Sequence, residues 1–438
     1  MYKKYIWIAL CYFSICISVF ASTTMPQIQS EGAILIEPKT NTVLYGKNEH
    51  KRLYPASTTK ILTAMIVLEE LGQNETLAKS QDSVNTVPAD SSHIGLQVGD
   101  TITVKDALYG LLVGSDNFIA HDLAIASKGS ITSFAARMNE KAERYGARDT
   151  HFTNPHGYHD TNHYTTPYDL AQIARETFNI PEIVKIAGTQ KYTVNVLNKN
   201  EPITVANKNR ILNSQTPYYN EHVIAAKTGF HNDAQQTLVA KAVYDDMELI
   251  AVVMKAKSPI QYEDMNKLFA YGEKNFNVIK DEMGNYELVN ETASDWAKGY
   301  MQMAEKNKWI LNKGTDYKEP ITAEGLIYML NEAMGNKKHL ALEEIRQILG
   351  LAQVNEQTTL NRLQIAKLMP YLTDQYECFF EIKEGMPFLP DIHNLSPSDQ
   401  DAIKFTVRRG ILGAPDTAFR PNAPLTWQEA VCMVTRLL

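Results

Sequence analysis

From Ile61 to Leu68 the chain carries almost no polar side chain: Ile61, Leu62, Ala64, Met65, Ile66, Val67 and Leu68 are interrupted only by Thr63. A helix that is apolar all round must be wrapped by other elements, so this segment belongs at the centre of a core. Pro55-Ala56-Ser57 opens the helix, and Leu71-Gly72 offers it a C-cap. Lys60 stands at the head of the run. A lysine there has to bury its amine, which is costly unless the amine finds partners or loses its proton.

The rest of the first half explains what wraps that helix. Gly32–Ile36 and Thr42–Tyr45 are β-rich, with Pro38 to Asn41 between them, and read as a hairpin over residues 31–46. Helical patterns follow at Val104–Val113, Asn117–Ala126, Ser130–Tyr145 and Pro167–Phe178. After residue 220 the period changes. His222–Lys227, Gln236–Tyr244 and Glu248–Lys255 read as strands, the last two joined by an Asp245-Asp246 turn. Strands at both ends of a helical stretch predict one sheet that unites them, with the helices as a second lobe. The fold class is α+β with an antiparallel sheet and a cleft between lobes.

With 438 residues the chain is too long for one ordinary core, and a second unit begins beyond residue 277. Three stretches there repeat a pattern: Pro320-Ile-Thr-Ala-Glu324, Thr359-Leu-Asn-Arg-Leu-Gln364 and Pro424-Leu-Thr-Trp-Gln-Glu429 each precede an apolar helix. Each carries a Thr or Asn suited to an N-cap. Such self-similarity predicts a mainly helical domain of units sharing one core, over residues 290–438.

Lys3 and Lys4 followed by the apolar run Ile6–Phe20, with Val19-Phe20-Ala21 at the end, read as a signal peptide over residues 1–21; an uncleaved anchor is the alternative. The chain is therefore expected outside the cytoplasm. Cys378 and Cys432 remain after such cleavage. They could bridge, but Cys432 lies in an apolar run that suits a small buried side chain. His151, His156, His159 and His163 cluster in sequence without a His-Glu-x-x-His pattern, so no metal is expected. A net charge of -7 argues against a nucleic-acid partner.

Three short motifs occur in order: Ser57-Thr58-Thr59-Lys60, Ser115-Asp116-Asn117 and Lys227-Thr228-Gly229. The set S-x-x-K, S-D-N, K-T-G is that of penicillin-binding proteins and class A β-lactamases. Each is weak alone; the ordered triplet is specific. A serine hydroxyl needs a neighbouring base to act as a nucleophile. Residues i and i+3 of a helix share a face, so Lys60 can serve Ser57. Burial beside a second cation, Lys227, would hold Lys60 neutral. Ser115 is placed to pass a proton to the leaving amine, and Asn117 to hold a substrate amide. Lys227 and Thr228 can grip a carboxylate, and Gly229 admits the backbone closely. The N–H groups of Ser57 and Phe230 would form the oxyanion hole.

Tyr54–Ala64 resembles the active-site helix of the low-molecular-mass D-alanyl-D-alanine carboxypeptidases, peptidase family S11. Val104–Leu112 before Ser115, Thr150–Gly157 with His163–Thr166, and Asn207–Leu212 are similar to further family segments. The resemblance covers roughly residues 30–275. It implies a penicillin-binding, β-lactamase-like catalytic domain that removes the terminal D-alanine from peptidoglycan stem peptides through an acyl-enzyme. It also implies inhibition by β-lactams and no cofactor. Asp116 departs from the glycine usual in the family and matches the β-lactamase spelling. No Glu-x-x-Leu-Asn follows to carry a deacylating glutamate. A β-lactamase or esterase, and a non-catalytic wall-binding protein, are the competing classes.

Residues 388–438 resemble a surface-layer homology repeat: Phe388-Leu-Pro-Asp391, Ile403–Leu412, then Phe419–Asn422 before Leu425-Thr426. Asp295–Glu324 and residues 340–372 look like two more. This implies binding of a secondary cell-wall polymer. The family's basic residue after the Thr is kept only as Arg362, against Ala323 and Trp427 in the other two.

Overall fold

The structure, a computed structural model, describes residues 25–280, 284, 286–310, 312, 314–335, 339–376, 378, 389–413 and 418–438. The expected signal segment and Phe388 lie outside the described residues.

The two terminal β-regions of the first half do meet in one antiparallel sheet. Its strands are β1 (Gly32–Glu37), β2 (Thr42–Lys47), β3 (Val223–His231), β4 (Gln235–Tyr244) and β5 (Met247–Ala256), in the order β2-β1-β5-β4-β3. Side chains alternate across a strand, and here both faces are covered. Ile34, Ile36, Val239, Ile250 and Val252 face the helical lobe. Ala33, Leu35, Ala240, Leu249, Ala251 and Val253 face Met265, Leu268 and Phe269 of a helix over Ile260–Asn275. Being apolar on both faces, the central strands read as near-continuous apolar runs rather than alternating ones. The strand β3 is left at the sheet edge, with its outer side turned to the helical lobe's end.

The apolar run forms α1 (Lys60–Glu70), whose residues Lys60 to Val67 are all buried. It is wrapped by α2 (Val104–Leu112), α3 (Asn117–Lys128) and α5 (Pro167–Thr177), with α4 (Ile131–Arg144) outside α3. Burying a Leu or Ile side chain of this kind contributes about 1.5–3 kcal/mol, so α1 is a main anchor of the lobe. Two details depart from the sequence reading. Ala56–Thr59 is a 3-10 turn, and α1 proper starts only at Lys60. The helix ends on extended Leu71 rather than on a left-handed glycine; the Gly72 N–H is taken instead by Glu75.

The C-terminal residues have their own core, built around Leu326, Leu330, Ile365, Leu368, Val431 and Val434. Three helices there are α6 (Ala323–Met334), α7 (Arg362–Gln375) and α8 (Trp427–Leu437), capped by the side chains of Thr322, Asn361 and Thr426. The residues before them meet in a closed triangle of single bridges: Pro320 with Thr426, Thr322 with Thr359, and Asn361 with Pro424. Each bridge joins the cap residue of one stretch to the residue two before the cap of another, so the same contact is made three times. Cys378 and Cys432 do not bridge each other.

The expectation that Arg362 offers a surface contact to an anionic polymer needs correction. It is 4% exposed. Its guanidinium donates to Phe419 O at 2.7 Å, Gly413 O at 2.5 Å and Glu429 Oε1 at 2.6 Å. The planar fork of donors is used up inside the repeats, as suits a side chain that keeps its charge.

Candidate active site

Ser57 stands in the 3-10 turn that leads into α1. Residues i and i+3 eclipse in such a turn, and Lys60 Nζ lies 2.8 Å from Ser57 Oγ. The same nitrogen is 2.6 Å from Asn117 Oδ1 and 2.8 Å from the His156 carbonyl oxygen. A neutral amine has two N–H donors and one lone pair. Two donors satisfy Asn117 and His156, and the lone pair is then left for the Ser57 hydroxyl proton. Lys60 is fully buried, and burial first, then the nearby Lys227 charge, push its pKa well below the usual lysine range; Asp116 opposes them.

The second motif is held by its middle residue. Asp116 Oδ1 accepts from the Phe118 and Ile119 N–H groups and so caps α3, while Oδ2 accepts from Ile94 N at 2.8 Å. Its carboxylate is thus consumed by backbone. This ties the start of α3 to the loop of residues 91–94 and lets Ser115 adopt a left-handed backbone, φ 58°. A non-glycine residue there is strained and persists only when its surroundings over-determine it. Ser115 Oγ accepts from Lys227 Nζ at 3.0 Å. Lys227 also donates to Thr228 O at 2.8 Å, and its burial brings its pKa down to about 7.

Strand β3 is pressed against the nucleophile turn through Gly229. A Cβ on Gly229 would lie 2.3 Å from Thr237 Oγ1, 2.8 Å from Pro55 O and 2.9 Å from Ser57 N. Gly157 does the same from the other side: it has φ 81°, and a Cβ there would sit 1.8 Å from Ala56 O. Thr59 Oγ1 donates to Ala56 O at 2.8 Å, so the His163 Nε2 that touches it at 2.9 Å must be the donor. The Thr153 N–H points at His163 Nδ1, 3.1 Å away, and fixes the same tautomer. Burial brings the His163 pKa down to about 3, so the ring is a neutral strut.

A cleft of about 720 Å³ opens between the lobes, lined by Ser57, Ser115, Asn117, Lys227, Thr228, Gly229 and Phe230, with Lys60 buried beneath. All eight expected residues therefore gather at one place. Asn117 presents its carbonyl oxygen to Lys60, and Lys227 donates to Ser115. The His156 carbonyl was not foreseen, because every residue has one and only the fold aims it. Asn207, in another segment noted from sequence, donates to Ala187 O and Thr189 O at the cleft wall.

Comparison with known proteins places this geometry. A family model described as D-alanyl-D-alanine carboxypeptidase matches residues 19–258. The chain is 34% identical over 233 residues to the D-alanyl-D-alanine carboxypeptidase DacF of Bacillus subtilis, covering 53% of this chain and 58% of that one. It is 32% identical to DacD of Salmonella typhimurium, covering 58% of this chain and 65% of that one. The chain thus spans less than two thirds of the length of these curated relatives. The crystal structure of the Streptomyces K15 DD-transpeptidase superposes with a TM-score of 0.54 at 30% identity, covering 57% of this chain and 98% of that one. The antiparallel sheet with its helical lobe is therefore the penicillin-binding α+β fold. With the motif triplet converging at its cleft and a family match over more than half of its length, the chain belongs to the D-alanyl-D-alanine carboxypeptidase family S11.

Proposed function

We propose that this protein is a serine-type D-Ala-D-Ala carboxypeptidase acting on peptidoglycan stem peptides and acylated by β-lactams. The observation that carries the reading is the buried Lys60 amine 2.8 Å from Ser57 Oγ, its other two contacts being Asn117 Oδ1 and the His156 carbonyl oxygen. Ser57 Oγ attacks the carbonyl of the penultimate D-alanine while its proton passes to Lys60. The N–H groups of Ser57 and Phe230 take the developing oxyanion. The C–N bond then breaks. The proton held by Lys60 is relayed through Ser115, which Lys227 holds in line, to the departing D-alanine nitrogen, leaving Lys60 neutral again. Water attacks the ester, Lys60 takes the water's proton and returns it to Ser57 Oγ as the ester C–O bond breaks, and the shortened stem leaves with Ser57 restored. Thr228, and Lys227 through its charge, receive the terminal carboxylate. No cofactor enters these steps.

Incubation with labelled penicillin tests this. The expected result is a covalent adduct that maps to Ser57. An adduct elsewhere, or none, overturns the assignment. Asp116 holds the second motif in place, its carboxylate accepting from three backbone N–H groups, and takes no part in these steps.

The C-terminal domain is proposed to be a surface-layer-homology-like module that holds the enzyme at the wall through a secondary polymer. Support comes from the three capped helices and their closed triangle of contacts. Export is proposed from the sequence of residues 1–21. No helix among the described residues is long and apolar enough to cross a membrane. A protein ending near Lys280 should cleave a small peptide but be lost from purified sacculi; unchanged retention would place targeting elsewhere.

A further inference from the structure

The mouth of the cleft holds a second cluster that the mechanism does not use. His159 follows the loop that carries the His156 carbonyl and Gly157. His231 and Asp233 lie at the β3–β4 turn, just beyond Phe230. All three line the cleft. One donor atom from each lies within 4.8 Å of the others. His159 Nε2 is 3.8 Å from Asp233 Oδ2, beyond hydrogen-bond reach. The other nitrogen of that ring, Nδ1, is buried with no partner among the described residues. The two imidazoles meet edge to face with centroids 5.0 Å apart, and Tyr54 packs on His159 at 4.8 Å.

We propose that His159, His231 and Asp233 form a binding site for a divalent transition cation, zinc being the best match, at the entrance to the catalytic cleft. Two imidazoles and a carboxylate are a borderline donor set that suits zinc better than magnesium or calcium, which prefer oxygen. Tetrahedral zinc with bonds of about 2.1 Å keeps its donors roughly 3.4 Å apart, so the three side chains must draw in by about 1 Å. Three protein ligands leave a fourth position for water.

One bond changes on binding. His231 Nδ1 accepts from the Ala234 N–H at 3.0 Å, which puts the proton of the neutral ring on Nε2. Coordination through either nitrogen ends that bond: at Nε2 the proton moves to Nδ1, and at Nδ1 the metal replaces the amide. One hydrogen bond is a small loss against three metal ligands, and it makes the Ala234 amide a reporter. An occupied site would join the loop behind Lys60 to the strand that carries Lys227, Thr228 and Phe230. The sequence pattern argued against a metal because its ligands come from separate segments that only the fold brings together.

The test uses the full chain, stripped with chelator and titrated with zinc chloride in competition with a chromogenic chelator. The wild type should bind one zinc more than the double variant H159A/H231A, and the Ala234 amide signal should shift as that site fills. Asp233 is exposed, so D233N should fold normally and weaken the site at least about tenfold, since even loss of a supporting residue around a metal costs 10- to 100-fold. The Ser57→Ala variant should bind zinc as the wild type does, which separates this site from the proposed peptidase chemistry. Equal zinc stoichiometry and affinity in wild type and H159A/H231A would overturn the proposal. So would unchanged affinity in D233N together with an Ala234 amide that does not move.

Discussion

Lys60 and Arg362 stand in matching places in the two halves of the molecule. Each is the first residue of a buried helix, and they are 0% and 4% exposed. Their partners differ. Arg362 reaches a carboxylate, Glu429, and two backbone carbonyls. Lys60 touches only neutral oxygens: a hydroxyl, an amide and a carbonyl. A guanidinium cannot give up its proton in a protein, so burying it demands a counter-charge, and the result is a structural tie. An amine can give up its proton. With a second cation nearby and no carboxylate bonded to it, Lys60 is pushed toward its neutral form, which suits it to the proposed role of base. Burial of a cation thus marks function only when the group can titrate and one of its partners faces an open cleft.

The largest expected effect tests the Lys60 side of this contrast. Ser57→Ala should abolish penicillin labelling altogether. Lys60→Ala should lower the acylation rate by roughly 10²–10⁴-fold, the usual worth of a general base, and labelling at near wild-type rate would break the comparison. Arg362→Ala should leave that rate alone.

Lys227 comes next. Lys227→Ala should slow cleavage of a peptide ending in D-Ala-D-Ala by about 10- to 150-fold, the worth of a charge-assisted hydrogen bond of about 1.5–3 kcal/mol. Its C-terminal amide analogue should lose less, the remaining loss reflecting the untethered Ser115. Equal losses on the two substrates would assign Lys227 to Ser115 alone. In the wild type, kcat/KM should rise with pH as Lys60 loses its proton. It should fall again above about pH 7, where the Lys227 ammonium, brought down by burial, gives up its own.

On the other side, Arg362→Ala should destabilise the C-terminal domain by about 2–4 kcal/mol, because Glu429 is left without its counter-ion and two carbonyls without donors. Denaturant unfolding followed through that domain reads this directly. A stable variant would mean that the ion pair contributes specificity rather than stability.

The smallest effect concerns His163. Its folded pKa, about 3, lies below the unfolded value near 6.5, so the unfolded chain binds the proton first as pH falls. The stability this group contributes is whole above about pH 6.5 and is lost progressively down to about pH 3. Between pH 6.5 and 5 that is roughly 1–2 kcal/mol. His163→Gln keeps a donor to Thr59 without a titrating ring. Its stability should fall less than that of the wild type over the same interval in urea melts at the two pH values.

Much of this was legible in the chain. β-rich runs and turn residues located the hairpin at 31–46 and the returning strands, since strand-favouring composition is a local property. The three motifs, with Phe230 directly after the third, located the eight residues that the fold does bring to one cleft. The caps Thr322, Asn361 and Thr426 were readable because an N-cap is decided within four residues. The reading went astray where a side chain's neighbour lies far along the chain. Asp116 was legible only as a departure from the family glycine, and that its oxygens are spent on the Ile94, Phe118 and Ile119 N–H groups could not be read locally. Arg362 suggested a surface contact, yet carbonyls of Phe419 and Gly413 enclose it.

By itself the sequence determined which residue types are available for chemistry, and that the helix after Lys60 must be buried, since hydrophobic pattern and motif order are written residue by residue. Only the tertiary structure decided which charges survive. The His156 carbonyl under Lys60, the distance from Lys227 to Ser115 and the meeting of His159 with His231 each depend on distant segments packing to within 3–5 Å. Proton affinity is set by burial and by charges at that range, and neither is a property of any one stretch of chain.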